Sequence, residues 1–102
     1  MLSLLKKLFS PKNPVDFKSL LANGAVIVDV RNPGEFAQGH IRGAINIPLG
    51  QLTGKISSLK NKTVITCCQS GIRSSAAKSS LIKAGIECYN GGGWYSLQNK
   101  IA

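Results

Sequence analysis

Carboxylates are scarce in this sequence: four Asp and Glu stand against thirteen Lys and Arg, leaving a net charge of +9 on 102 residues. The lysines are spread from Lys6 to Lys100 without a dense basic block, and no nucleic-acid motif or aromatic platform accompanies them. The charge therefore reads as a solvated surface that attracts small anions or an acidic acceptor protein, and no nucleic acid is expected. Histidine occurs once, at His40, and cysteine three times, with Cys67 and Cys68 adjacent and Cys88 apart. That supply is too small for a disulfide framework and lacks the ligand spacing of a structural zinc site, so no metal is expected. No apolar run is long enough to span a membrane. Met1 to Phe9 (MLSLLKKLF) is short, broken by Lys6 and Lys7, and lacks a small-residue cleavage site. It does not read as a targeting signal, and a cytoplasmic location is expected. Nothing marks a sticky surface, so a monomer is expected.

What the chain does have is a hydrophobic share of 43%, enough at this length for one domain with its own core. The domain is placed at 13–102, preceded by a basic amphipathic segment at 1–12 in which Leu2, Leu5 and Phe9 face away from Lys6 and Lys7. The rest is organised around Thr63 to Ala84. Thr63 to Cys67 is a short β-branched run, the pattern of a buried strand, and Ser74 to Ala84 has helical spacing through Ala77, Leu81 and Ala84. Between them the tight turn Cys68-Gln69-Ser70-Gly71-Ile72-Arg73 places a thiol at a strand end, beside a glycine, an arginine and a helix start. The helix dipole, unpaired N–H groups and a guanidinium all favour thiolate over thiol. A cysteine so placed is a candidate nucleophile for an anionic substrate.

Elsewhere, Asn13-Pro14 reads as an N-cap and first helical residue for a helix over Val15 to Ala22, closed by Gly24. Ala25 to Val30 is nearly continuous apolar, as in a strand covered on both faces, and its Asp29 falls near the carboxyl end. Ala44 to Pro48 reads as a short strand, Gly50 to Asn61 has helical spacing, and Ile86 to Asn90 gives a last strand. Gly91 to Gly93 then read as a tight turn before a helical tail. Strands alternating with helices imply an α/β domain, a small parallel β-sheet with helices on both faces and its site beyond the carboxyl strand ends.

Two stretches resemble the rhodanese family of sulfurtransferases. Asp29 to Pro48 (DVRNPGEFAQGHIRGAINIP) is similar to the family's DVR…E[FY]…GHI.GA.NIP pattern, and Cys68 to Ser74 (CQSGIRS) is similar to the CxxGxRS loop of single-domain members. The resemblance covers residues 13–98 and departs from the family pattern at Trp94, which directly follows the glycines. It implies a rhodanese-like fold and a cysteine that accepts a sulfane sulfur as a persulfide and passes it to a thiophilic acceptor. Cys68 is then nucleophile and persulfide carrier, with no cofactor beyond the covalent intermediate. The N–H groups of Gln69, Ser70, Gly71, Ile72 and Arg73 form an anion cradle for a donor such as thiosulfate. Arg73 either binds the anion or holds the loop through Asp29 or another acceptor, and Arg42 is a candidate for steering anions to the pocket mouth. Arg31 and Glu35, four apart, read as a local pair that shapes the loop, and His40 as a backbone-bonded turn residue rather than a base. Trp94 reads as core or pocket wall, and Cys88 as a buried strand residue.

Two other readings share these residues. In one, the persulfide is handed directly to a docked partner protein. In the other, counting from Cys67 gives Cys-x5-Arg-Ser, the spacing of protein tyrosine phosphatases. Thr66 stands where that motif has histidine, no aspartate is placed as its general acid, and the phosphatase ranks last. If Cys68 is the nucleophile, Cys67 is either buried, paired with Cys68 in a vicinal disulfide, or poised to attack the persulfide.

Overall fold

The computed structural model describes residues 14–102, so the amphipathic segment at 1–12 and the expected cap at Asn13 lie outside the described residues. In chain order the elements are α1 (Phe17–Ala22), β1 (Val26–Asp29), α2 (Pro33–Gln38) and β2 (Ile45–Asn46). A 3-10 segment (Leu49–Lys55) then runs into α3 (Ile56–Leu59), followed by β3 (Thr63–Cys68), α4 (Ile72–Lys83), β4 (Glu87–Gly93) and α5 (Trp94–Ile101). The strands pair in the order β2-β1-β3-β4, every pair parallel. Parallel neighbours cannot be joined by hairpins, so each connection crosses over the sheet and both faces become covered.

The alternation of side chains along β3 divides the core in two. Val64 and Cys68 join Val28, Leu52, Leu59, Ala77 and Leu81 on the face covered by α3 and α4. Ile65 and Cys67 join Phe17, Tyr89 and Leu97 on the face covered by α1 and α5. Each fully buried aliphatic side chain contributes about 1.5–3 kcal/mol relative to exposure. The layering expected from the sequence is therefore present, with neighbouring cysteines assigned to different layers.

Three boundaries differ from the sequence reading. The first helix begins at Phe17 rather than Pro14, because Asp16 is its cap: the carboxylate accepts from Ser19 N (3.1 Å) and Ser19 Oγ (2.8 Å). α4 starts at Ile72, directly after Gly71, whose φ of +101° lets the chain turn straight from loop to helix. β4 continues through Gly93, so the glycines are strand rather than turn. Thr66 pairs with Asn90 and Cys68 with Gly93, and the extra residue on β4 makes a bulge beside the catalytic candidate.

Candidate active site

Strand order reverses between β1 and β3, the position at which open α/β sheets form a crevice beyond their carboxyl ends. β1 delivers Asp29 to that end and β3 delivers Cys68. The chain then folds back over the sulfur. Gly71 N donates to Cys68 Sγ at 3.0 Å and Ser74 N at 3.3 Å, the latter one of the free N–H groups of the first turn of α4. The Ser74 hydroxyl is 3.5 Å from the sulfur, but its shortest contact, 2.6 Å, is to Asn90 Oδ1. With one proton to share, the hydroxyl is the weaker support and the two N–H groups the firmer. Burial pushes the Cys68 thiol up, while the Ser74 hydroxyl and the N–H groups of Ser74, Gly71 and Ser70 pull it down; the hydrogen bonds prevail and the net shift is downward.

Cys67 has the opposite surroundings. Its side chain lies in the other core layer, fully buried, where burial and the negative charge of Asp29 push the thiol up to about 12. The phosphatase reading needs this sulfur at the head of the loop, and the pleat of β3 turns it away. The same opposition separates the two sulfurs for the vicinal disulfide and for attack on a persulfide, and Cys67 is a free, buried cysteine. Cys88 is likewise buried, in the Cys68 layer, and pushed up to about 11 by burial.

The charged residues pair differently from the sequence expectation. Glu35 does not neutralise Arg31; its carboxylate takes Arg73 in a two-pronged contact, Nη1 to Oε1 at 2.7 Å and Nη2 to Oε2 at 3.0 Å. Asn32 N also donates to Glu35 Oε1 (3.1 Å), and with the Arg73 hydrogen bond as the larger cause the carboxyl is held at about 2. Arg73 is thus tied to Glu35, not to Asp29. Asp29, wholly buried, belongs to Arg31: Nε reaches both carboxylate oxygens (2.9 and 3.0 Å) and Nη2 reaches Oδ2 at 2.7 Å. Arg31 also donates to Gly39 O (2.7 Å) and lies 4.9 Å from the Trp94 ring centroid. This pair joins the end of β1 to the α2 turn and to the Trp94 wall, and it supports the site from beneath. Arg42 is exposed and lines neither of the two hollows described below. His40 Nδ1 contacts Phe36 O (2.7 Å) and its ring stacks on Phe36, a turn-fixing arrangement.

The exposed Gln69 and Ser70 and the 79% exposed Ile72 form the outer rim of the loop. Two adjoining hollows flank it and share Gln69 and Tyr95. One, of about 410 Å³, is walled by Arg31, Glu35, Gln38, Gly39 and Trp94; the other, of about 580 Å³, by Gly93, Ser96, Asn99 and Lys100. Gly93 matters here for close approach, since a Cβ would stand 2.8 Å from Gln69 O.

Sequence reasoning missed Ser74 and Asn90. Asn90 Oδ1 accepts from Ser74 Oγ and from Gly92 N (2.8 Å), and Nδ2 donates to Gly71 O (3.3 Å), so one amide joins loop, helix start and bulge. The position of Ser74 in the first turn of α4 was a visible sign; the Asn90 contacts depend on strand register and had none.

The pattern of the rhodanese-like domain matches residues 13–100. The chain belongs to the rhodanese-like family. Among curated relatives of this rhodanese-like chain, an uncharacterised Bacillus subtilis protein is 44% identical over 80 residues (76% of this chain, 64% of that one). The thiosulfate sulfurtransferase PspE of Escherichia coli is 41% identical over 61 residues (57% of this chain, 59% of that one). The chain thus spans less than two thirds of the length of either. Solved relatives include an E. coli rhodanese determined with anions, at 35% identity and a TM-score of 0.67 (72% of this chain, 91% of that one). The human single-domain sulfurtransferase TSTD1 is 28% identical with a TM-score of 0.62 (84% and 92%). Among the described residues, no helix is long and apolar enough to cross a membrane.

Proposed function

We propose that the protein is a sulfurtransferase that carries a sulfane sulfur as a persulfide on Cys68. The observation that supports this most is the contrast at the end of β3. Cys68 Sγ receives two backbone N–H groups at a helix start, whereas its neighbour is sealed in apolar core. With thiosulfate, the Cys68 thiolate attacks the outer sulfur, a new S–S bond forms, and the old one breaks with its electron pair on departing sulfite. Charge is conserved: a thiolate and a dianion become a persulfide anion and a dianion. The N–H groups that steady the thiolate face the same developing charge as sulfur moves, which is how preorganised donors lower a barrier. Arg73, held by Glu35, fixes the loop and leaves substrate anions to the N–H groups and the cationic surface. A thiolate stabilised in this way needs no separate general base, consistent with the turn role of His40.

Intact mass after incubation with thiosulfate tests the reading. One added sulfur atom, removed by cyanide, absent in Cys68→Ser and present in Cys67→Ser, is the expected result. No added sulfur on the wild-type protein would overturn it.

A further inference from the structure

The two backbone N–H groups on Cys68 Sγ are fixed in direction by the loop, whereas the Ser74 hydroxyl can rotate among three acceptors. Asn90 Oδ1 is nearest at 2.6 Å, Gly71 O lies at 3.1 Å and Cys68 Sγ at 3.5 Å. One hydroxyl has one proton, so the acceptors compete for it. The Asn90 amide is held in place from both ends. Gly92 N, which can only donate, meets Oδ1 at 2.8 Å, and Gly71 O, which can only accept, meets Nδ2 at 3.3 Å. The amide oxygen therefore faces Ser74. Gly71 O is a poorer competitor because it already takes Ser75 N at 3.0 Å. Without Asn90 the strongest acceptor left is Cys68 once ionised, since an anion draws a donor harder than a carbonyl does. Ser74 is wholly buried, where the choice between acceptors counts for more than in water.

We infer that Asn90 is a positioning residue for sulfur transfer: by taking the Ser74 proton it keeps the hydroxyl off the Cys68 thiolate and leaves the sulfur's electrons free to attack. The inference rests on the sulfurtransferase reading and adds a residue to the same site. Each further donor on a thiolate steadies it, but intrinsic nucleophilicity falls as the thiol becomes more acidic. With two N–H groups already supporting the ionised sulfur, a third donor would slow its attack. Asn90 thus limits how strongly the loop stabilises its nucleophile. The titratable groups around the loop are separate from this contact. Arg73 on α4 is held by Glu35 of α2, Asp29 of β1 holds Arg31, and burial pushes Cys67 on β3 and Cys88 on β4 up to about 12 and about 11.

The test follows alkylation of Cys68 by iodoacetamide against pH, read by mass on the full chain with Cys68→Ser as background. Asn90→Leu fills a similar volume without an acceptor. It is expected to lower the Cys68 midpoint, opposite to the shift that a loosened loop would cause, and to cut the plateau rate at high pH by about two- to threefold. In the Ser74→Ala background the same substitution should move neither, because no proton is left to redirect. A midpoint that rises or stays in Asn90→Leu, or changes equally large in both backgrounds, would overturn the inference and leave Asn90 a brace for the loop. Should circular dichroism show Asn90→Leu unfolded, Asn90→Asp decides. Its carboxylate draws the Ser74 proton more firmly, so the midpoint should rise more in the wild-type background than in Ser74→Ala, and an equal rise would overturn the inference. Sulfur loading from thiosulfate is measured on the same samples. Absence of loading in the wild type refutes the sulfurtransferase reading, while alkylation still decides the role of Asn90.

Discussion

Cys67 and Cys68 are joined by one peptide bond and live in different chemical environments. The pleat sends Cys67 among Ile65, Phe17, Tyr89 and Leu97, and burial there raises its thiol to about 12. Cys68 packs beneath α3 and α4 but meets N–H groups of Gly71 and Ser74 at the strand's end, and its thiol is lowered. Composition cannot distinguish the two, and solvent exposure does not either, since both are buried. What separates them is whether hydrogen-bond donors converge on the sulfur. Burial without donors suppresses a thiolate; burial with donors permits one.

The largest break in this comparison is exchange of the sulfurs themselves. Cys68→Ser should abolish persulfide formation outright, while Cys67→Ser should keep it within about twofold, because an alcohol in that core perturbs packing more than chemistry. Alkylation by iodoacetamide reads the same contrast without mutation. Labelling of Cys68 should accelerate with pH and level off below the ordinary thiol value of 9.0, as the fraction of thiolate saturates. Cys67 should stay unlabelled until denaturant is added.

A second, smaller break moves the donors while leaving both sulfurs in place. In Gly93→Ala the new methyl would stand 2.8 Å from Gln69 O, a backbone atom of the loop, so the loop must shift. Sulfur loading should fall by about tenfold or more, as misplacement of reacting groups commonly costs, while circular dichroism shows the sheet intact. Unchanged loading would mean the close approach of β4 to the loop is not what positions the donors.

Ser74→Ala sharpens the comparison further. It removes the hydroxyl 3.5 Å from Cys68 Sγ and keeps the Ser74 N–H. The loss of one modest hydrogen bond should raise the Cys68 midpoint slightly and slow loading near neutral pH by about two- to fivefold. A loss as complete as that in Cys68→Ser would show the hydroxyl, rather than the N–H groups, to be the main support.

The smallest expected effect concerns acid. Glu35 titrates at about 2 in the folded protein against an ordinary 4.5, so its tie to Arg73 is fully present above the ordinary value and is lost only as pH falls through the folded one. The Glu35 carboxyl resonance followed by NMR should therefore show no step across the range where a free carboxylate protonates. A midpoint near the ordinary value would mean that Arg73 does not hold it in solution.

The sequence by itself determined the order of strands and helices, and with it the parallel sheet, because apolar runs such as Ala25 to Val30 and Thr63 to Cys67 need cover on both faces and short chains have few ways to provide it. It also located the thiol loop, since Gly71 and a helix start beside Cys68 are local features. Tertiary structure decided the partners. Glu35 is four residues from Arg31 yet meets Arg73 across 38 positions, because the guanidinium of Arg31 is already taken by Asp29 at the end of β1. Asn90 reaches Ser74 and Gly71 only because β4 pairs with β3 through a bulge. Local periodicity encodes which face a side chain prefers, but pairing among charged and polar groups depends on strand register and on which competitor lies nearer, and those are set only when the layers close.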